Sequence, residues 1–157
     1  MKKGIKLAFV AAVLLAAGAV AAAQSANERL WDAALSGTAA DVRAAIKAGA
    51  DVNARNELGV TPLMGAAYSN TNPDVVKALI AAGANVNARA EDGKTVLMEA
   101  ASWNDNPDVL KVLIEAGANK YARDEDGNRA IDLLEIREDK DEFYGTDAYW
   151  EMRDLLY

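Results

Sequence analysis

Apolar residues in the middle of this chain fall into two alternating patterns, both with helical spacing. Leu63, Ala66 and Ala67 form the first, and Val75, Val76, Leu79 and Ile80 the second. Both return further along, as Leu97, Ala100 and Ala101 and then Val109, Leu110, Leu113 and Ile114. Each pattern is preceded by a helix-start signal. Thr61-Pro62 supplies a hydroxyl for an orphan amide and a proline for the first helical position. Thr95 repeats that cap, with Val96 in place of the proline. Asn72-Pro73-Asp74 and Asn106-Pro107-Asp108 open the second helices with a cap, a proline and an acid matched to the helix dipole. Gly83 and Gly117 stand where a left-handed residue ends a helix. The loop Asn85-Val86-Asn87-Ala88 leads on to the next unit.

The pattern is periodic. Gly59, Gly93 and Gly127 follow one another at steps of 34 residues, as do Gly49, Gly83 and Gly117. Helices of roughly ten residues are marginal alone in water. A buried Val, Leu or Ile contributes about 1.5–3 kcal/mol only when a neighbour covers it. Each unit therefore requires the next, and about three are needed for stability. The expected fold is an all-α solenoid of stacked helix-turn-helix units joined by short β-turn loops.

The strings TPLMGAA, DVVKALIAAGANVNAR, TVLMEAA and DVLKVLIEAGANKYAR resemble ankyrin repeats, from about Ala26 to Leu134. The resemblance divides a domain at 24–157 into repeats at about 26–55, 56–89 and 90–123 and a capping repeat at 124–157. Three departures stand out. Met64 and Met98 take the place of the family's usual histidine, losing a hydrogen bond between repeats. Val96 breaks the Thr-Pro pair. The two central repeats carry one extra residue before the second helix, nine positions separating Ala67 from Val76 against eight from Ala34 to Val42. The first unit presents Glu28, Arg29 and Asp32 outward, as a cap would. The last gives one helix from Ala130 to Ile136, the charged stretch REDKDEFYGTD, and a closing helix from Ala148 to Leu156. Thr146 or Asp147 is expected to cap that helix, with Trp150, Leu155 and Leu156 packing it back on the stack.

The resemblance implies a protein-binding concave face of loop tips and first helices. On this chain it marks Arg55, Glu57, Leu58, Val60, Tyr68 and Ser69 in the second repeat. The third contributes Arg89, Glu91, Asp92, Lys94, Ser102 and Trp103, and the fourth Arg123, Glu125, Asp126 and Asn128. Tyr68 and Trp103 either anchor a partner, as aromatics do at interface hot spots, or shield the core. Leu58 and Val60 are odd on a solvated tip, though single exposed apolar residues are common. Arg55, Arg89 and Arg123 recur at one register beside Glu57, Glu91 and Glu125, which reads as a solvated salt-bridge ladder. The turns Ser69-Asn70-Thr71-Asn72 and Trp103-Asn104-Asp105-Asn106 read as longer capped turns, with a ridge beside the groove as the alternative.

The N-terminus reads as an address. Lys2, Lys3 and Lys6 precede an apolar run from Leu7 to Val20 and the small residues Ala21-Ala22-Ala23. That is the plan of a secretory signal cleaved after Ala23, leaving Gln24 first. The apolar run is short for a bilayer span, which needs roughly 20 residues. Residues 1–23 are thus expected to be removed and the rest to be periplasmic or secreted, soluble and monomeric, without membrane insertion. Their loss leaves 14 basic side chains against 24 acidic ones, a net charge of −10. Such a surface argues against nucleic acid, which needs clustered Lys and Arg.

Chemistry narrows the reading further. The chain has no cysteine and no histidine. This excludes disulfides, a lipid-bearing cysteine, Cys/His zinc sites and His-based triads. Asp124-Glu125-Asp126-Gly127-Asn128 suggests a calcium loop, but Ala122 occupies a needed ligand position. Glu138, Asp139, Asp141 and Glu142 read as a solvated charge run. The acids fall at turns and caps rather than in a dry cleft, as glycoside hydrolysis would need. No catalytic residue, metal or cofactor is expected. The function implied is binding of another protein, the alternative being a structural or stress-protective envelope role without one tight partner.

Overall fold

A computed structural model describes residues 26–137 and 146–157. The segment read as a secretion signal and the acidic run at Glu138, Asp139, Asp141 and Glu142 lie outside the described residues. The first helix, α1, covers 26–36. It is followed by α2 (Ala39–Lys47), α3 (Pro62–Ser69), α4 (Pro73–Ala81), α5 (Val96–Trp103), α6 (Pro107–Glu115), α7 (Ala130–Glu135) and α8 (Asp147–Leu156). No strand forms among the described residues; Arg89 and Thr95 make an isolated antiparallel bridge.

The helices begin where the capping residues put them. The Thr61 hydroxyl accepts from the Met64 amide at 3.4 Å, and that of Thr95 from the Met98 amide at 3.3 Å. Asn72 and Asn106 accept from the amides of Asp74 and Asp108 at 3.0 and 2.9 Å. Each second helix ends at a glycine, where Gly83, for example, takes φ +93° with no atom near its absent Cβ. The glycine is needed there for the left-handed backbone, not for space.

Two rows of helices result. In one, α3 packs on α5 and α5 on α7; in the other, α2 packs on α4, α4 on α6 and α6 on α8. Between them lies a continuous core that includes Leu63, Leu79, Leu97, Leu110, Leu113 and Leu134. Ala66, Ala67, Ala100 and Ala101 are fully buried, letting the first-row backbones approach closely. Ile80 and Ile114 are only half-buried, because they sit at the edge of the stripe set by Val76 and Leu79 and by Leu110 and Leu113. Met64 and Met98 are buried as well, and the Met98 sulfur accepts the Thr95 amide at 3.3 Å. Part of what a polar residue would do at that position is therefore done by a thioether, a weak acceptor.

The last helix departs from expectation. Thr146 caps α8, accepting from the Tyr149 amide at 3.2 Å. Its buried face is Tyr149, Met152 and Leu156, whereas Leu155 is half-buried and Trp150 exposed. Positions 149, 152 and 156 share one helical stripe against α6 and α7, and Trp150 falls outside it. Its ring is covered instead by the Arg153 guanidinium, 4.5 Å from the ring centroid.

Candidate partner-binding face

Three fingers project from the helical rows. Each is a tight turn closed by a backbone bond: Asn56 to Val60 at 3.1 Å, Ala90 to Lys94 at 2.9 Å, and Asp124 to Asn128 at 3.0 Å. Neighbouring fingers are joined as well, the Glu91 amide donating to the Leu58 carbonyl at 3.0 Å and that of Glu125 to the Asp92 carbonyl at 3.3 Å. Glu57, Glu91, Asp92, Glu125 and Asp126 are exposed at the tips, as is Leu58 at 65%. Val60 and Lys94 are half-buried. Val60 packs on the core, while Lys94 pairs with Asp92 at 3.4 Å. Asn128 bonds Asp124, its amide donating to the Asp124 Oδ1 at 2.7 Å, so that finger is held internally.

The arginines at the finger roots form a ladder of a different kind from the one expected. Arg55 Nη2 donates to the Arg89 carbonyl, Arg89 Nη2 to the Arg123 carbonyl, and Arg123 Nη1 to the Gly127 carbonyl. Among the described residues, none of them pairs with Glu57, Glu91 or Glu125. A carbonyl one repeat away is a fixed acceptor, while a carboxylate on a mobile exposed stem is not. Arg55 and Arg89 therefore lock neighbouring fingers together, while Arg123 braces its own.

Beside the fingers lie the exposed flanks of the first helices. Tyr68 and Trp103 are 46% and 45% exposed, with ring centroids 5.5 Å apart and planes tilted by 46°. Sequence spacing did not reveal this pairing, because the two residues are 35 positions apart and occupy different registers. The serines are spent on the backbone. Ser69 Oγ donates to the Leu35 carbonyl at 2.8 Å and Ser102 Oγ to the Met98 carbonyl at 2.8 Å. The asparagines of the extra-residue turns tie neighbouring repeats together. Asn70 and Asn104 are buried, and Asn104 Nδ2 donates to the Ala67 and Asn70 carbonyls at 3.0 and 3.1 Å.

Four residues of this face were not singled out from the sequence. Gly65 leaves room for its neighbours, since a Cβ there would lie 3.0 Å from the Trp31 ring and 3.3 Å from Leu35 Cδ2. Trp31 and Leu35 of α1 thereby lie against α3 at Gly65. Glu99 is half-buried on α5, one turn before Trp103. Burial pushes its carboxyl above the usual glutamate value, with Lys94 pulling it back and Asp92 adding to the rise. Stepping by the repeat would have found them: Trp31, Gly65 and Glu99 share one register, and Leu35, Ser69 and Trp103 another. A cavity of 440 Å³ opens elsewhere, beside α1 and α2, and is lined by Arg29, Asp32 and Asp41 among others. None of the marked residues lines it.

These features define a short helical-repeat solenoid with an open aromatic and acidic flank, a class of protein that works by holding other macromolecules. A family model of ankyrin repeats in three copies matches residues 30–124, and the chain belongs to the ankyrin-repeat family, whose repeats are general protein–protein interaction modules. Comparison with curated proteins returns no match.

Proposed function

We propose that the protein is an exported interaction module that binds another protein in the periplasm through its fingertips and first-helix flanks. The observation that carries this reading is the Tyr68–Trp103 pair, two large rings left nearly half open 5.5 Å apart. Exposed aromatics in contact mark binding sites, because they bury much area at little entropic cost. The Leu58 tip adds a second apolar contact, and the interlocked arginines supply a rigid base. Binding then requires little ordering of the receptor. The domain works as a soluble monomer, without cofactor or catalysis.

Affinity capture from periplasmic extract tests the face, comparing wild type with Tyr68→Ala plus Trp103→Ala. Loss of the captured protein from the double variant is expected; identical capture by both would overturn the assignment. Mass spectrometry of the exported protein is expected to find Gln24 at its N-terminus. An intact leader in the membrane fraction would refute export with cleavage.

A further inference from the structure

We propose that Tyr68, Trp103 and Glu99 together receive the cationic side chain of a lysine or arginine presented by an extended basic segment of the partner. This deepens the reading of the face as a protein-binding surface and rests on it. Two rings tilted at 46° with centroids 5.5 Å apart pack on each other and leave nearly half of each side chain open to a partner. Their faces carry negative quadrupole potential, which attracts a cation approaching within about 6 Å. Glu99 lies four residues before Trp103 on α5, the spacing that places side chains on one flank of a helix. Its carboxylate takes no hydrogen bond or ion pair among the described residues. Lys94 draws on this half-buried carboxylate only from beyond ion-pair contact, its own ammonium being held by Asp92, and a cation that reached the carboxylate directly would offset the cost of burying it.

The surroundings select the same partner. The fingertips present Glu57, Glu91, Asp92, Glu125 and Asp126 along this flank. The basic groups nearby are engaged: Lys94 with Asp92, and the three arginines with finger carbonyls. A second copy of this chain would bring acid against acid, and an anionic membrane or nucleic acid would be repelled. An extended segment suits a row of fingers and flanks, since successive side chains can reach the aromatic pair and the acidic tips in turn. Trp150 is also covered by a cation, Arg153 at 4.5 Å, but that guanidinium comes from its own helix and already occupies the ring face.

The test titrates the protein with a ten-residue peptide of alternating lysine and serine. A matched peptide with acetyl-lysine at each lysine serves as the comparison. Heat of binding and the Trp103 indole N–H resonance are followed at low salt. The lysine peptide is expected to bind at least tenfold more tightly than the acetylated one and to shift that resonance. Glu99→Gln, Trp103→Leu and Tyr68→Leu should each weaken it by about fivefold, while Trp150→Leu leaves it unchanged. Circular dichroism checks that each variant is folded. Equal binding of the two peptides, no binding of either, or indifference to Glu99→Gln would overturn the proposal. Capture of the natural partner separates the two levels. If the aromatic double variant loses that partner but Glu99→Gln retains it fully, the module reading stands and the cation receptor falls. If Glu99-dependent peptide binding persists while capture ignores the face, the module reading fails alone.

Discussion

Glu99 concentrates the conflict between stability and binding in one side chain. Its carboxyl is raised above the ordinary glutamate value chiefly by burial. A raised carboxyl favours folding while protonated and disfavours it once charged, so its penalty sets in as pH climbs through the folded value. Glu99→Gln should accordingly raise the melting temperature by roughly 1–3 °C at pH 7. The gain should vanish below about pH 4, where wild-type glutamate is protonated in both states. Thermal melts at the two pH values check this, and a gain that persists in acid would show that charge is not the cause. Asparagine roles were the least legible at this scale. The sequence identifies Asn72 and Asn106 as caps, because a proline follows each. It does not identify Asn70 and Asn104 as clamps between repeats, because their acceptors belong to another unit. Asn70 Nδ2 reaches the carbonyls of Ala34 and Gly37 at 3.2 and 3.1 Å, and no local pattern encodes that distance.

Among the elements, helix starts were legible and helix faces only partly so. A cap is local chemistry, and Thr61, Thr95 and Thr146 all act as their side chains allow. Which stripe of α8 turns inward depends on where α6 and α7 lie, so Tyr149 and Met152 were missed while Leu156 was not. The short α7 lacks a hydroxyl cap. Arg129 stands at that position, and Asp132 accepts from its backbone amide at 2.9 Å and from its guanidinium at 3.0 and 2.9 Å. Those bonds hold the Asp132 carboxyl down to about 2. A lowered carboxyl stabilises the fold above its unfolded value and loses that contribution as pH falls through the folded one. Because about a third of the Asp132 side chain is open to solvent, screening limits its worth to under about 1 kcal/mol. Asp132→Asn should destabilise by roughly 0.5–1 kcal/mol at pH 7 in urea titration. The difference should shrink progressively between about pH 4 and pH 2.

At the scale of the molecule, the repeats are coupled by apolar stacking and by polar ladders that run from unit to unit. Asn53 and Asn87 each bridge to the glycine-ended turn of the next repeat, donating to the Gly83 and Gly117 carbonyls at 3.0 Å. The stacking was legible because the 34-residue period and the buried stripes require it. The ladders were not, since the bonds that cross from unit to unit join residues 30 or more positions apart through side-chain geometry alone. Arg137 shows how the clamp series continues. It is 5% exposed, and its Nη1 donates to the Asn104 carbonyl at 2.8 Å while Nη2 meets Asp105 Oδ1 at 2.6 Å. It thus does for the last unit what Asn104 does for the one before, with a longer reach. In a nearest-neighbour stack, weakening one interface loosens what lies beyond it more than what lies on the other side. Arg137→Met keeps the volume and apolar stem but leaves the buried Asn104 carbonyl without this donor, at a cost of about 1–3 kcal/mol. Asp105 is mostly exposed, so losing its partner adds little. Hydrogen exchange should therefore speed by about tenfold or more in α7 and α8 while protection in α3 and α4 stays near wild type. Uniform acceleration through all helices would mean that the stack unfolds as one body and that Arg137 has no local office.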